Sequence, residues 1–569
     1  MIWHIFRKDF KLMWKATVSV AALQLAFAMI QLKNELGHGN PVIEQFDTLL
    51  MMSWLVASVI LVVMLVQQDG ILGTKQDWLT RPIRRRDVII AKILFATMAV
   101  QGATIAGDLI QGLGSGFPLK QALSAALSRA AIGFIAITLS ALALGSLTQS
   151  IADAMVMSVV LLVGAFLFTV VATAIAGDGH QYDPTNMTGV AWIPDLLRYA
   201  LLLVGVLTIV IWQYQTRHTF QGRVAAAVVL LAVLCSRIIP WAPVFAVEKG
   251  LSARPGTADT ITMAWRSDAF GALLGQSIKP VRPTLGNRSD GSRLILPLSI
   301  IGMPPDAVLK EDKSQVTLLN TSGQMLDRVS GGDIEIRHED GAHELDRFDQ
   351  EATISARLAQ EQANAPVQIS VTYWMTLFTL RSTYTMRATN DDQMLAGLGR
   401  CRTEVDGAYT AVEMSCLQMG SGPTCATVFL EDPHDGSRNQ GSTTCSPNYS
   451  PYLERPIPDA TSHFRLLVQY RDPAGSIKYP VDASKLAESQ IRIYVYEPVD
   501  HFIRVVTSPL VAMKDLTALE ICCGATSSDL DSFSISKESL FGRQIETRAV
   551  AFMSLRQSRL QKKSIGKVL

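Results

Sequence analysis

Through the first part of the chain apolar positions follow one another with few breaks, and from about residue 245 onward they give way to short alternating runs. Seven apolar runs, near 15–33, 49–67, 88–110, 122–148, 152–176, 196–214 and 223–242, are long enough to cross a bilayer, which takes about 20 helical residues. Only TQSIAD divides the fourth run from the fifth, yet a single helix rising about 1.5 Å per residue would be far too long for one crossing. Backbone polar groups in hydrocarbon must be paired within their own segment, so these runs predict helices. The later runs SRLILPLSII, SQVTLLN, GDIEIRH, APVQISVTYWMTLFTL, FRLLVQY and IRIYVYE are rich in β-prone residues, and Gly, Pro, Asn and Asp separate many of them. That pattern predicts strands in sandwich-like sheets, with HELDRFDQEATISARLAQEQA as a candidate helix between them. The expected architecture is a membrane α-helical bundle of about seven transmembrane helices over 1–245, followed by a mainly β region over 246–569 that divides into two modules around 370–400.

Charge gives the bundle a direction. Arg7, Lys8, Lys11, Lys15, Lys75, Arg81, Arg84, Arg85, Arg86, Arg217 and Arg223 fall on the side of the amino terminus, whereas the opposite connections carry Lys33 and Lys120. Cytoplasmic connections are the basic ones, so the amino terminus is expected in the cytoplasm. An odd number of crossings then puts the β region outside, as for a multi-pass protein of the bacterial inner membrane. Trp3, Phe6, Phe10 and Met13 recur at helical spacing among the first cations, a pattern suited to a helix lying in the inner interface. Trp54, Trp192, Trp212, Tyr214 and Trp241 lie near span ends, where interfacial anchors belong. A net charge of +1 over 569 residues gives no reason to expect nucleic acid as a partner.

The connection QQDGILGTKQDWLTRPIRRRDVIIAK, from Gln67 to Lys92, is more ordered than a basic loop needs to be. Gly70 and Gly73 let the chain turn out of the second span. Asp77, Trp78 and Leu79 read as part of a short amphipathic helix that Pro82 stops, and Asp87 is placed to cap the third span. With these residues in this order, the segment resembles the membrane subunits of ABC-2 type transporters. The matching positions are Asp69 and Gly73, then Trp78, Leu79, Pro82, Arg84 and Arg85 in the turn, then Lys92. The amino-terminal IFRKDFKLMW is similar to that family's interfacial helix, and the likeness covers roughly residues 1–240. It implies that the loop touches a separate cytoplasmic ATP-binding subunit, and that the chain forms a homodimer or a heterodimer with a similar membrane subunit. Such members commonly have six spans and lack a large exported region, so the resemblance does not account for 246–569.

No G-x-x-x-x-G-K-[ST] phosphate loop occurs in the chain, so ATP is expected in a partner and no cofactor in this polypeptide. His338 and His343 in HEDGAH stand five apart around Asp340 and Gly341, which fits a turn better than a helical zinc site. No catalytic constellation or metal site emerges. Asp108, Arg129 and Asp153 are ionisable residues in or beside spans and are candidates for a transport path or for packing. Cys401, Cys416, Cys425, Cys445, Cys522 and Cys523 all fall in the β region, as expected of disulfides in an oxidising compartment. Two functions remain open: a subunit of an ATP-driven exporter, or a membrane-anchored receptor or envelope assembly factor whose outer region binds an envelope protein.

Overall fold

A computed structural model describes residues 1–518 except 37–40, 69–83, 176–189, 191, 217, 237–238, 240, 267–290, 332–334, 338–344, 406–410, 420–423, 434–437, 447–460, 470–485 and 487. Its described residues fall in one compact unit, Met1–Ile278 with Thr284–Ala518. Six helices among them are long and apolar enough to cross a membrane: Ile2–Lys33, Phe46–Gln67, Arg85–Gly114, Leu119–Leu147, Ile151–Val171 and Trp192–Thr216. The expected seventh span is a shorter apolar helix, Thr219–Cys235, of 17 residues, and a further short helix, Trp241–Gly250, follows it.

Contacts at the helix ends show the alternation of direction. Gln67 at the end of the second helix donates to Thr148 just past the end of the fourth (3.0 Å). Arg85 at the start of the third reaches the carbonyls of Tyr214 and Gln215 at the end of the sixth (3.1 and 2.6 Å). Arg223 near the start of the seventh pairs with Asp153 near the start of the fifth (3.0 Å). All of these lie on one face of the bundle, which we call the loop face.

The first helix runs unbroken from Ile2 to Leu36, longer than a hydrocarbon core about 30 Å thick requires. One buried stripe, Phe6, Asp9, Met13, Val20, Gln24, Phe27 and Gln31, continues along it. The amino-terminal turns therefore extend the span and pack on the bundle, instead of forming a separate helix in the interface. Trp3, Phe10 and Trp14 remain exposed on other faces. Trp54 is not an anchor either: it is 1% exposed, inside the bundle core.

The first and third helices are parallel neighbours whose contacts advance together, with Asp9 against Lys92, Gln24 and Ala28 against Gly107, and Leu32 against Gly114. The second and fourth also approach closely, since a Cβ on Gly145 would meet Val63 backbone at 3.2 Å. Small residues make such packing available in a bilayer. The third and fourth helices each widen into a π-helical segment, Thr97–Gln101 and Phe134–Leu139. The amide of Gln101, oriented to satisfy its neighbours, donates to the Ala130 carbonyl and accepts from the Phe134 N–H (both 3.2 Å). A side chain of one helix thus fills the gap that the π turn opens in the backbone ladder of the other.

The β region is antiparallel throughout the described strands. An eight-stranded sheet has at its centre the long strands Pro366–Arg387 and Gln490–Thr507, flanked by Ala307–Leu319 on one side and Thr424–Glu431 on the other. One end of this sheet packs on the sheet containing Gly291–Ile301, burying Leu294, Leu296, Leu298 and Ile300 against Val316, Ile369 and Val371. Its other end packs on the sheet containing Gly399–Val405, Ala411–Met419 and Thr461–Gln469, burying Val428, Ile491 and Ile493 against Met414, Leu466 and Val468. Two sandwich-like cores therefore share one sheet, and Pro366–Arg387 runs through the segment expected to divide two modules. In the segment read as a helix, Leu345–Ser355 is a strand, and only Ala356–Glu361 is helical. Its burden of polar residues misled the reading: this strand pairs with Gly291–Ile301, and a bridge from Gly331 to Ala352 touches its other flank.

Two disulfides, Cys401–Cys416 and Cys425–Cys445, join residues directly opposite one another on paired strands. Cys522 and Cys523 lie outside the described residues, as do His338 and His343.

Candidate functional site

Helical periodicity places Lys92 two turns into the third helix, on the face that meets the first and second. Its side chain is 1% exposed, and its ammonium lies 3.1 Å from Asp9 on the first helix. The same ammonium donates to the Leu65 carbonyl, near the end of the second helix (2.8 Å). One cation thus fastens three helices at the loop face, directly beside the two ends of the 67–84 connection. A charge in this position is retained only when paired and hydrogen-bonded. Phe6 and Phe95 meet edge-to-face beside it, with centroids 5.7 Å apart.

Arg84 is extended and precedes the third helix, where no side chain caps the backbone. Asp87 lies within the first turn and does not cap it, so its charge acts only on the exposed N–H end of the helix dipole. Arg85 instead holds the last carbonyls of the sixth helix, a favourable place for a cation. Asp69, Gly73, Trp78, Leu79 and Pro82 lie outside the described residues.

The candidate path residues separate into two kinds. Asp108 and Arg129 form a buried ion pair between the third and fourth helices. Asp153 is at the loop face, where its carboxylate accepts from the Gln149 N–H at 3.1 Å and pairs with a half-exposed Arg223. Ser150 Oγ caps the fifth helix by accepting from the Asp153 N–H (3.1 Å), and the Asp153 carboxylate ties that helix to the seventh. The residues that the sequence reading missed are Asp9 and Gln101. Asp9 was hidden among four nearby cations, although its spacing from Phe6 and Met13 on the buried stripe was available as a signal.

At the opposite face, among the described residues, the bundle meets the β region in two places. In the first, Gln111 donates to Thr461 (3.0 Å), Arg400 donates to the Ser115 carbonyl (3.1 Å), and Phe117 and Ala122 pack with Leu417 and Met419. A Cβ on Gly112 would lie 2.6 Å from Met419 Sδ, the far end of a flexible side chain that would have to shift. Cysteines introduced together as Gly112→Cys and Met419→Cys are expected to form an intrachain disulfide, detected as a linked peptide pair by mass spectrometry. Two free thiols in the folded protein would contradict this seat.

In the second place, Val190, Trp241, Val244 and Phe245 surround Trp374 of the eight-stranded sheet. A polar chain runs through it. Trp192 Nε1 donates to Glu248 Oε2 (2.7 Å), and Glu248 Oε1 faces His501 Nε2 at 3.4 Å. His501 Nδ1 lies 2.9 Å from the Thr376 hydroxyl, which also contacts the Asp312 carboxyl. Burial pushes Asp312 up to about 7 from its ordinary 3.8, more than Thr376 and Lys310 lower it. Burial also pulls His501 down to about 4 and raises Glu248.

Among the described residues, no group of three or more His, Cys, Asp or Glu side chains is placed to hold a metal ion. No curated protein matches the chain. Residues 4–219, under half of the 569 residues, match the family model described as ABC-2 family transporter protein.

Proposed function

We propose that the chain is a membrane subunit of an ATP-driven ABC-type exporter, energised by a separate cytoplasmic ATP-binding subunit. The observation that carries this reading is the Lys92 clamp within the family-matched segment, where the first helix, the end of the second helix that leads into the loop, and the third helix meet at one ammonium. A push on the 67–84 loop would reach three helices at once. The amino terminus lies in the cytoplasm of a bacterial inner membrane, and the β region lies outside. The basic residues of the loop face support that orientation, as does the arrival of the seventh helix on the β side. Two membrane subunits, identical or similar, enclose the path. The Asp108–Arg129 pair holds the third and fourth helices together within each.

The test is photocrosslinking in native membranes from positions spread through 69–87, Trp78 first. The expected capture is a cytoplasmic polypeptide that carries a phosphate loop. Capture of lipid alone from every position would overturn the proposal.

A further inference from the structure

We propose that Trp192, Glu248, His501, Thr376 and Asp312 form a proton-binding site where the bundle meets the β region, in which one proton is shared between the Glu248 and Asp312 carboxyls through His501 and Thr376. The local fold builds this line. His501 and Thr376 are direct partners on the paired strands Gln490–Thr507 and Pro366–Arg387. On the other side of Pro366–Arg387, the register of Ala307–Leu319 skips between Glu311 and Lys313, so Asp312 is an extra residue at a bulge. A bulge re-aims a side chain, and here it brings the Asp312 carboxyl to the Thr376 hydroxyl. A second register shift, between Pro498 and Asp500, precedes His501. The His501 backbone N–H is held by Ser252 Oγ at 3.0 Å.

A neutral imidazole has one N–H and one acceptor nitrogen, which leaves two ways to direct the chain. In the first, Asp312 holds the proton and donates to Thr376 Oγ1, Thr376 donates to His501 Nδ1, and His501 Nε2–H points at an ionised Glu248. In the second, Glu248 donates to His501 Nε2, His501 Nδ1–H donates to Thr376, and Thr376 donates to an ionised Asp312. Three proton hops convert one into the other, with every oxygen and nitrogen valence kept and the total charge unchanged. The span between Glu248 and His501 closes to an ordinary hydrogen bond with a shift of about 0.5 Å. In the first state Glu248 is an anion that receives both Trp192 and His501, so the sixth helix is held more tightly than in the second.

The surrounding charged and titratable groups are few. Lys310 acts on Asp312 from the same strand, Glu311 stands beside Tyr373, and Lys313 lies over the Trp241 ring at 5.5 Å. Asp500, next to His501, accepts from the Ala258 N–H at 3.0 Å. The raised Asp312 and Glu248 carboxyls agree with a site that retains a proton near neutrality.

The test is pH-dependent infrared spectroscopy of the carboxyl stretch, on the full chain in lipid nanodiscs. Glu248→Gln is expected to change the proton affinity of Asp312 about tenfold or more, as for any pair coupled by over one pK unit. Asp312→Asn is expected to do the same to Glu248. Thr376→Val keeps both charges and removes the hydroxyl, so the coupling is expected to vanish there and to return in Thr376→Ser. Coupling that survives in Thr376→Val acts through space and overturns the relay, as does an Asp312 titration unchanged by Glu248→Gln. Should Thr376→Val fail to fold, Thr376→Ala takes its place, and coupling between Asp312 and Glu248 that survives there overturns the relay.

Discussion

Lys92→Met is expected to destabilise the folded chain by about 3–5 kcal/mol, the usual result of removing one partner from a buried ion pair. The physical reason lies in what remains. Asp9, 1% exposed, would keep its carboxylate among apolar side chains without the ammonium 3.1 Å away, and the Leu65 carbonyl would lose its donor. Methionine fills the space of the lysine stem, so little of the loss comes from packing. Asp9→Leu combined with Lys92→Met is expected to recover most of the stability, because replacing both charges by apolar groups of similar volume is often neutral or favourable. Denaturant unfolding of the purified chain in detergent micelles measures both effects. Equal losses in the single and double variants would mean that the pair contributes shape and not charge compensation. A recovered double variant that no longer responds to its partner would assign the clamp to motion and not to stability.

That clamp also shows what could be read before the structure. The apolar runs located the helices well, because length and hydropathy are the same requirement that a bilayer imposes. Lys92 was singled out by the loop's resemblance and not by the apolar runs. The spacing of Asp9 from Phe6 and Met13 was legible, but its pairing with Lys92 was not, because the partner is decided by which helix that stripe packs on. That depends on parallel packing against a helix some eighty residues later, where Gly107 and Gly114 admit Ala28 and Leu32. Trp54 failed for a similar reason: aromatic position near a span end is shared by anchors and core residues, and burial alone separates them.

In the β region the short alternating runs and their sandwich-like packing were legible, and the sharing of one sheet by two cores was not. Alternation specifies which residues face a core, but it does not specify that Pro366–Arg387 is long enough to serve two cores at once. The buried polar chain was equally hidden. Asp312 reaches Thr376 only because a bulge shifts the strand register by one residue, and a one-residue shift changes the face on which a side chain lies. Single-sequence patterning has no signal for that.

The same chain carries the second large prediction. His501 is lowered from 6.5 to about 4, so between those values the unfolded chain binds the proton and the folded chain does not. Its contribution to stability therefore rises with pH across that window, by about 1.4 kcal/mol per unit. Asp312 is raised from 3.8 to about 7, so between those values the folded chain holds the proton and the unfolded chain does not. Its contribution falls with pH at the same rate. Across the shared window the two slopes cancel, and the raised Glu248 adds a further falling component. Asp312→Asn is expected to uncover the histidine, giving a protein that gains up to about 3 kcal/mol of stability between pH 4 and 6.5. His501→Gln is expected to uncover the carboxyl and lose about 4 kcal/mol over pH 4 to 7. Unfolding of full-length protein in detergent, followed at several pH values in that range, gives both slopes and their signs. Parallel profiles in the two variants would show that the groups do not titrate within the fold. Opposite slopes would establish that a buried acid and a buried base offset one another in the wild-type profile, leaving the falling component of Glu248.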